Sequence, residues 1–206
     1  MEIQGITPSG EKVDYLPMSL QRHNPEQVAN LIYASSPELF SLMFGSQATQ
    51  NLTQLVQGSE NKFSYQYVRV AQISKQVVGI AIIIPAKKLS INTDFKRLNY
   101  PQQLRLGLLE RLLFPFVLQQ DYPEGSFYLA NLAVTSRYRN QGIGRQLLSN
   151  CIDEASNYSG SLYISVDVEN VRAKKLYESM GFQFVQEKVI NLGRWRVGSL
   201  VLALSA

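Results

Sequence analysis

Cysteine and histidine are almost absent from this sequence. The chain has 206 residues, of which one is Cys and one is His. One cysteine excludes a disulfide within the chain, and one of each residue cannot supply the ligands of a transition-metal site. Cys151 falls on the apolar stripe of a predicted helix, where we expect it to pack rather than react. We therefore expect a reducing compartment, the cytoplasm, and no metal cofactor.

Long apolar runs and concentrated charge are missing as well. The chain has no run of about 18 apolar residues, as a spanning helix would need. Its first residues, MEIQGITPSG, lack the basic and apolar parts of a signal peptide. The net charge is +4, and there is no basic run typical of nucleic-acid binders. These absences predict a cytoplasmic protein that binds neither membranes nor nucleic acid.

The overall composition is that of an ordinary globular protein. Hydrophobic residues make up 45% of the chain and charged residues 17%, without an internal repeat or a low-complexity linker. A chain of this length can bury a substantial core within one domain. We expect a single domain over residues 1–206, as a monomer or a homodimer.

Local signals in the first half of the chain predict short helices and strands. Asn24 and Ser36 each precede a proline, so that a capping side chain is followed by a residue with a helical φ angle. His23, just before the first cap, is expected at the surface. The expected elements are a strand at 13–17, helices after residues 24 and 36 and near 47–57, and strands at 63–70 and 77–84 around a polar turn.

The stretch from 126 to 182 organises the rest of the sequence, after a mainly helical segment expected at 92–120. It predicts a strand at 126–134, a Gly-rich loop, a helix, a second strand and a second helix. The loop holds three arginines and no acidic residue, and Gly142 and Gly144 stand where the helix begins. Glycines admit a ligand close to the backbone, and the free N–H groups of a helix start favour an anion.

Two common phosphate loops do not fit this stretch. The dinucleotide pattern G-x-G-x-x-G fails because Leu147 stands at its last position, and the chain contains no G-x-x-x-x-G-K-[ST]. A binder of nucleotide phosphates that uses the same loop is a weaker alternative. A further motif, NVRAKKLYESMGF, occupies residues 170–182.

The two motifs together, RNQGIG at 139–144 and the run at 170–182, resemble those of the GNAT superfamily of acyl-CoA-dependent N-acyltransferases. The family patterns are Q/R-x-x-G-x-G/A and N-x-x-A-x-x-x-Y-x-x-x-G-F. The resemblance implies an α/β (α+β) fold, with a mixed, mostly antiparallel central sheet flanked by helices and acyl-CoA beside strand 126–134. It also implies transfer of an acetyl group from acetyl-CoA to a primary amine of an unidentified small molecule or protein.

The resemblance assigns a donor site and a catalytic residue. The backbone of strand 126–134 would pair with the pantetheine arm, the loop would hold the pyrophosphate, and Tyr177 would return a proton to the departing thiolate. The alternative is that Tyr177 is a core aromatic on the helix face of Leu176 and Met180. The implied donor-binding residues are Leu132, Ala133, Val134, Arg139, Asn140, Gln141, Gly142, Ile143, Gly144, Arg145, Asn170 and Tyr177.

The resemblance does not supply a general base. Some family members have a Glu on the strand after the loop helix, where this chain has Ser165. Asp167 lies on the same strand face by alternation, and Asn131 could position a water. The third alternative is an amine that arrives neutral from solvent. The missing Glu also leaves open a second function, that of a non-catalytic acyl-CoA-binding or regulatory module.

Overall fold

The computed structural model describes residues 3–59, 61–88, 122–192 and 195–205. Within them, eight strands form one sheet, and helices cover both of its faces. The strands are β1 (Ile3–Ile6), β2 (Lys12–Pro17), β3 (Val68–Ile73), β4 (Gln76–Pro85), β5 (Phe127–Val134), β6 (Leu162–Asp167), β7 (Gln183–Leu192) and β8 (Trp195–Leu204). The helices are α1 (Pro25–Ser35), α2 (Pro37–Phe44), α3 (Ala48–Gln57), α4 (Ile143–Ser156) and α5 (Val171–Ser179). The helical segment expected at 92–120 lies outside the described residues.

The sheet is mixed and mostly antiparallel. Its strand order is β1-β2-β3-β4-β5-β6-β8-β7. Neighbouring strands run antiparallel except for β5 and β6, which are parallel. The fold class implied by the resemblance is therefore confirmed. Among the helices that the structure describes, none is both long enough and apolar enough to span a bilayer.

Each face of the sheet has its own apolar core, and β4 contributes to both. On one face Ile80 and Ile82 pack with α1, α2 and α3, and on the other Ala81 and Ile83 pack with α4 and α5. The predicted burial of 77–84 on both faces is confirmed. Full burial of an isoleucine stabilises a fold by about 1.5–3 kcal/mol, so β4 is the strand in which a polar substitution would cost most.

A glycine in β4 allows α4 to approach the sheet closely. A Cβ on Gly79 would lie 3.1 Å from Cδ1 of Leu147 and 3.3 Å from both Cγ2 of Ile143 and the carbonyl oxygen of Ala133. These distances are shorter than ordinary van der Waals contacts. Because residue 79 has no side chain, the first turns of α4 rest directly on β4 and β5.

The helix starts follow the sequence signals in part. Asn24 caps α1, with its Oδ1 accepting from the Glu26 backbone N–H at 2.8 Å. The side chain of Ser36 makes no cap bond, so the start of α2 depends on Pro37 at its first position. Gln27 does not complete a capping box, because its Oε1 accepts from the Val77 backbone N–H at 3.1 Å and ties α1 to β4.

The expectation that His23 lies at the surface is wrong. His23 is only 3% exposed, because the turn between β2 and α1 folds its ring inward. Its Nδ1 accepts from the Ser19 backbone N–H at 2.9 Å, which closes that turn. Burial lowers the pKa of His23, and so does the nearby Arg22. The ring is therefore a neutral structural acceptor at the entrance to α1.

The strand expected at 63–70 begins later than predicted. Residues Tyr65–Tyr67 form a single 3₁₀ turn, and β3 starts at Val68. Ser64 caps the turn by accepting from the Gln66 backbone N–H at 3.3 Å. The hairpin turn after β3 is confirmed, since Ser74 and Lys75 have φ angles of 48° and 68°, as a tight two-residue connection requires.

Candidate active site

The parallel pair β5 and β6 separates partway along its length. Their register joins Phe127–Leu129 to residues 162–164, whereas the pairing of β5 with β4 continues to Val134. The Thr135 backbone N–H donates to the Val78 carbonyl at 2.8 Å, toward β4. Because backbone groups alternate along a strand, those of Leu132 and Val134 face the opposite, open edge. Among the described strands, none pairs with this edge of β5 beyond Leu129, so the edge can take a ligand as its partner.

A bulge in β5 marks the place where the strands separate. Ile82 pairs with Asn131 and Ile83 pairs with Leu129, so Ala130 is the extra residue. A bulge bends its strand and increases the local twist, which directs β5 away from β6. Just beyond the bulge, Asn131 Nδ2 donates to Ser35 Oγ at 2.7 Å, so its amide group holds β5 against the end of α1.

The loop after β5 leads into the N-terminus of α4 with two residues in left-handed conformations. Asn140 has φ 65° and Gly142 has φ 82°. Gly142 occupies the N-cap position and has no side chain to satisfy the first-turn N–H groups of α4, which remain available to an anion. A Cβ on Gly144 would meet only Val134 Cγ2, at 3.6 Å, so the protein's own packing does not require glycine there.

The loop arginines have partners within the protein. Arg139 Nε donates to the Val134 carbonyl at 3.0 Å, on the open edge of β5. Arg145 bonds to Ser179 Oγ at 2.7 Å and Met180 Sδ at 2.9 Å, at the C-terminal end of α5. A positive charge is favourable there because of the helix dipole. Arg139 thus lies beside the open edge, and Arg145 joins α4 to α5.

Sequence reasoning missed a fourth arginine at this loop. Arg172, in the first turn of α5, donates through Nη2 to Oδ1 of Asn140. Its place in the second motif, between Asn170 and Ala173, was the signal that could have identified it. Gln141 makes a further bond within the loop, since its Nε2 donates to the Arg137 carbonyl at 3.3 Å.

Helix α5 carries Tyr177 into the core that it shares with β5 and β6. Asn170 caps the helix as predicted, accepting from the Ala173 backbone N–H at 3.0 Å, and Gly181 follows its end with φ 93°. Tyr177 is 6% exposed and packs against Phe182 with ring centroids 5.9 Å apart. Burial raises the pKa of Tyr177 well above its usual value, and nearby Tyr128 raises it further. The phenol therefore stays protonated, as a proton donor must.

Ser165 lies in a cluster of tyrosines, on the sheet face away from the core that contains Tyr177. Its hydroxyl hydrogen-bonds with the phenols of Tyr122 and Tyr128. Tyr122 in turn stacks on Tyr128 with centroids 5.3 Å apart and lies 4.8 Å from the ring of Tyr163. Burial raises the pKa of both Tyr122 and Tyr128. The position of the family's Glu is thus occupied by a neutral hydroxyl among neutral phenols.

The remaining candidates for chemistry are engaged in the structure. Asp167 Oδ1 accepts from the Glu169 backbone N–H at 2.8 Å, in the turn before α5. Cys151 is fully buried, and burial raises its pKa to about 12, which confirms a packing role. In the described part of the chain, no group of three His, Cys, Asp or Glu side chains is arranged to hold a metal ion.

Known proteins are similar to parts of this sequence, and solved structures share its fold over most of the chain. The ribosomal protein bS18-alanine N-acetyltransferase of Escherichia coli (strain K12) is 44% identical over 55 residues, or 26% of this chain and 37% of that protein. The aligned part of this chain thus covers well under half of that relative's length. An N-acetyltransferase from Staphylococcus aureus Mu50 superposes with a TM-score of 0.64 at 19% identity, covering 89% of this chain and 98% of that one.

A second solved structure is a GNAT family acetyltransferase from Elizabethkingia anophelis with acetyl-CoA bound. Its TM-score is 0.53 at 16% identity, and the match covers 94% of this chain and 98% of that one. At such identities the two structures show a shared fold. The model of the acetyltransferase (GNAT) family matches residues 43–182, a stretch that runs from α2 through both motifs to Phe182. Because that match covers more than half of the sequence, the chain belongs to the acetyltransferase (GNAT) family.

Proposed function

We propose that this chain is an N-acetyltransferase that moves an acetyl group from acetyl-CoA to a primary amine. The observation that carries the proposal is the open edge of β5 beside the uncapped start of α4, with Tyr177 in the same core as Leu129 and Ile164, the last paired residues of β5 and β6. A strand edge suits the pantetheine arm, and a helix start suits the pyrophosphate.

In this proposal the donor lies along β5. The backbone groups of Leu132 and Val134 bond the pantetheine, with Ala133 between them, and one of the two N–H groups polarises the thioester carbonyl. The first-turn N–H groups of α4 hold the pyrophosphate. The loop residues that contribute are Arg139, Asn140, Gln141, Gly142, Ile143, Gly144 and Arg145. Asn170, at the N-cap of α5, bonds the pantetheine or orients nearby groups. The proposed reaction uses acetyl-CoA as a co-substrate and needs no metal.

The reaction is an attack of the amine nitrogen on the thioester carbonyl carbon. A C–N bond forms, the C–S bond breaks, and the sulfur leaves with its electron pair. Tyr177 gives its phenolic proton to that thiolate and recovers a proton that the nitrogen loses. The raised pKa of Tyr177 favours the protonated phenol at neutral pH. Tyr177 therefore enters the reaction holding the proton that it donates, and does not enter it as a base.

The amine is proposed to enter the reaction already neutral. Ser165 shares its hydroxyl with two phenols, Asp167 accepts a backbone bond in a turn, and Asn131 donates to Ser35. None of the three is an unengaged carboxylate or imidazole, as an efficient general base would be. The neutral fraction of the acceptor then sets the rate, and weakly basic amines are favoured at neutral pH.

The test is turnover with a panel of primary amines and peptide N-termini. Release of CoA is followed with a thiol reagent, and the acetylated product is identified by its mass. Product formation that depends on both acetyl-CoA and amine supports the proposal.

Ser165 in place of the family Glu favours one alternative, a non-catalytic acyl-CoA-binding module. Tight binding of acetyl-CoA without turnover of any amine would establish that alternative instead.

A further inference from the structure

Asn140 holds an unusual conformation at the centre of the donor loop. Its φ of 65° is in the left-handed region, which residues other than glycine rarely occupy, although Asn tolerates it better than most. Its side-chain oxygen accepts a hydrogen bond from Nη2 of Arg172, on α5. The Asn140 side chain is thus held from outside the loop by Arg172.

The stability of α5 does not explain why an arginine stands at position 172. It stands in the first turn of α5, where a positive charge opposes the helix dipole. Ion pairs in the described ranges, such as those of Lys12 with Asp14 and of Lys174 with Glu178, do not include it. Its side chain is exposed, so it does not contribute to the core. The bond to Asn140 is the interaction that accounts for its position.

We propose that Arg172 is a positioning residue for the donor, acting through Asn140. By holding the Asn140 amide, it keeps the loop in the shape that presents the first-turn N–H groups of α4 to the donor's phosphates. The inference rests on the proposed function and extends it to a residue outside the loop. Because α5 also carries Tyr177 and Asn170, the same bond joins the phosphate site to the helix of the proposed acid.

The opposite end of α5 is tied to the same loop region. Arg145, in the first turn of α4, bonds to Ser179 at the end of α5. Two arginines therefore connect α5 to the phosphate loop, one at each helix end. A donor that orders the loop would in this way also order the helix that bears Tyr177.

A double-mutant cycle on acetyl-CoA affinity tests the inference. The four proteins are the wild type, Arg172→Gln, Asn140→Gly and the double variant, with dissociation constants measured by calorimetry. Glycine at position 140 adopts a positive φ without help and has no side chain for Arg172 to hold. We expect Arg172→Gln to weaken binding roughly tenfold when Asn140 is present. In the Asn140→Gly background, the same substitution should change affinity less than about twofold.

Two results would overturn the inference. If Arg172→Gln weakens binding equally in both backgrounds, Arg172 acts on the ligand directly and not through Asn140. If Arg172→Gln leaves the affinity of the wild-type background unchanged, the bond has no part in donor binding. A second readout uses S-acetylpantetheine, a donor without phosphates. Its kcat/KM should be the same for wild type and Arg172→Gln, since a general loss of structure would lower both donors' values.

Lys175→Gln is the matched control. Lys175 is exposed on the same helix, and its substitution removes the same unit of charge without touching the loop. Its acetyl-CoA affinity should equal that of the wild type. A wild type that fails to bind acetyl-CoA would reject the proposed function itself. Binding by the wild type with no effect of Arg172→Gln would reject only the role of Arg172.

Discussion

At the scale of single residues, removal of the Tyr177 hydroxyl tests catalysis apart from donor binding. Tyr177→Phe keeps the ring and its packing against Phe182 and removes one oxygen. If that oxygen protonates the thiolate, turnover should fall by roughly 10²–10⁴ while the dissociation constant of acetyl-CoA stays the same. Steady-state rates with an accepted amine, together with donor titrations, measure the two effects. Unchanged turnover would leave Tyr177 as a core aromatic.

The raised pKa of Tyr177 has a consequence for the pH profile. An acid with a raised pKa keeps its proton as pH increases, so no loss of activity is expected up to about pH 10. If the amine enters neutral, kcat/KM should increase with pH until the amine's own pKa is reached. Profiles of two amines whose pKa values differ should therefore have their inflections at different pH. An inflection at one pH for both amines would instead reveal a base on the protein.

At the scale of elements, replacement by valine should have opposite effects on stability and donor affinity at two glycines, Gly144 and Gly79. Gly144→Val places a side chain where the protein has room, so the melting temperature should hold while acetyl-CoA affinity falls. Gly79→Val places one within 3.1–3.3 Å of three atoms, which should destabilise the fold by about 1–3 kcal/mol. Thermal melts and donor titrations of both variants check this. Equal donor affinity in wild type and Gly144→Val would show that the loop is not the donor site.

Elements with strong local signals were the ones that the sequence predicted. The cap at Asn170, the glycines before α4 and the alternating or continuous apolar runs are read from a few adjacent residues, and the structure agrees with them. Local chemistry was sufficient for these features because each is satisfied within its own turn or strand. The open edge of β5 is different, since it was implied by the resemblance to the GNAT family.

Features that depend on distant partners were not predictable. The bond between Arg172 and Asn140 joins residues 32 positions apart, and although Arg172 lies within the second motif, no pattern around it identifies Asn140 as its partner. His23 was misplaced because its burial follows from how the turn after β2 folds back. The bulge at Ala130 depends on the register with β4, which no single strand determines. Tertiary contact, and not local propensity, decided each of these cases.

At the scale of the whole molecule, donor binding should raise the melting temperature. At a concentration of ~100 times its dissociation constant, acetyl-CoA adds about 2.7 kcal/mol of stability. For a domain of this length the shift is on the order of 5–10 °C. S-acetylpantetheine, without the phosphates, should shift the melt much less at equal concentration. A melt that neither acetyl-CoA nor CoA moves would contradict the donor assignment.

The position of β8 has a consequence for the order in which the sheet is completed. This strand follows β6 and β7 in sequence but lies between them, pairing with β6 on one side and β7 on the other. During synthesis, β6 and β7 leave the ribosome before the strand that joins them exists. Until residues 195–204 emerge, both strands have unpaired edges of the kind that promotes aggregation. A nascent chain paused before β8 therefore exposes two strand edges that the finished sheet covers with one strand.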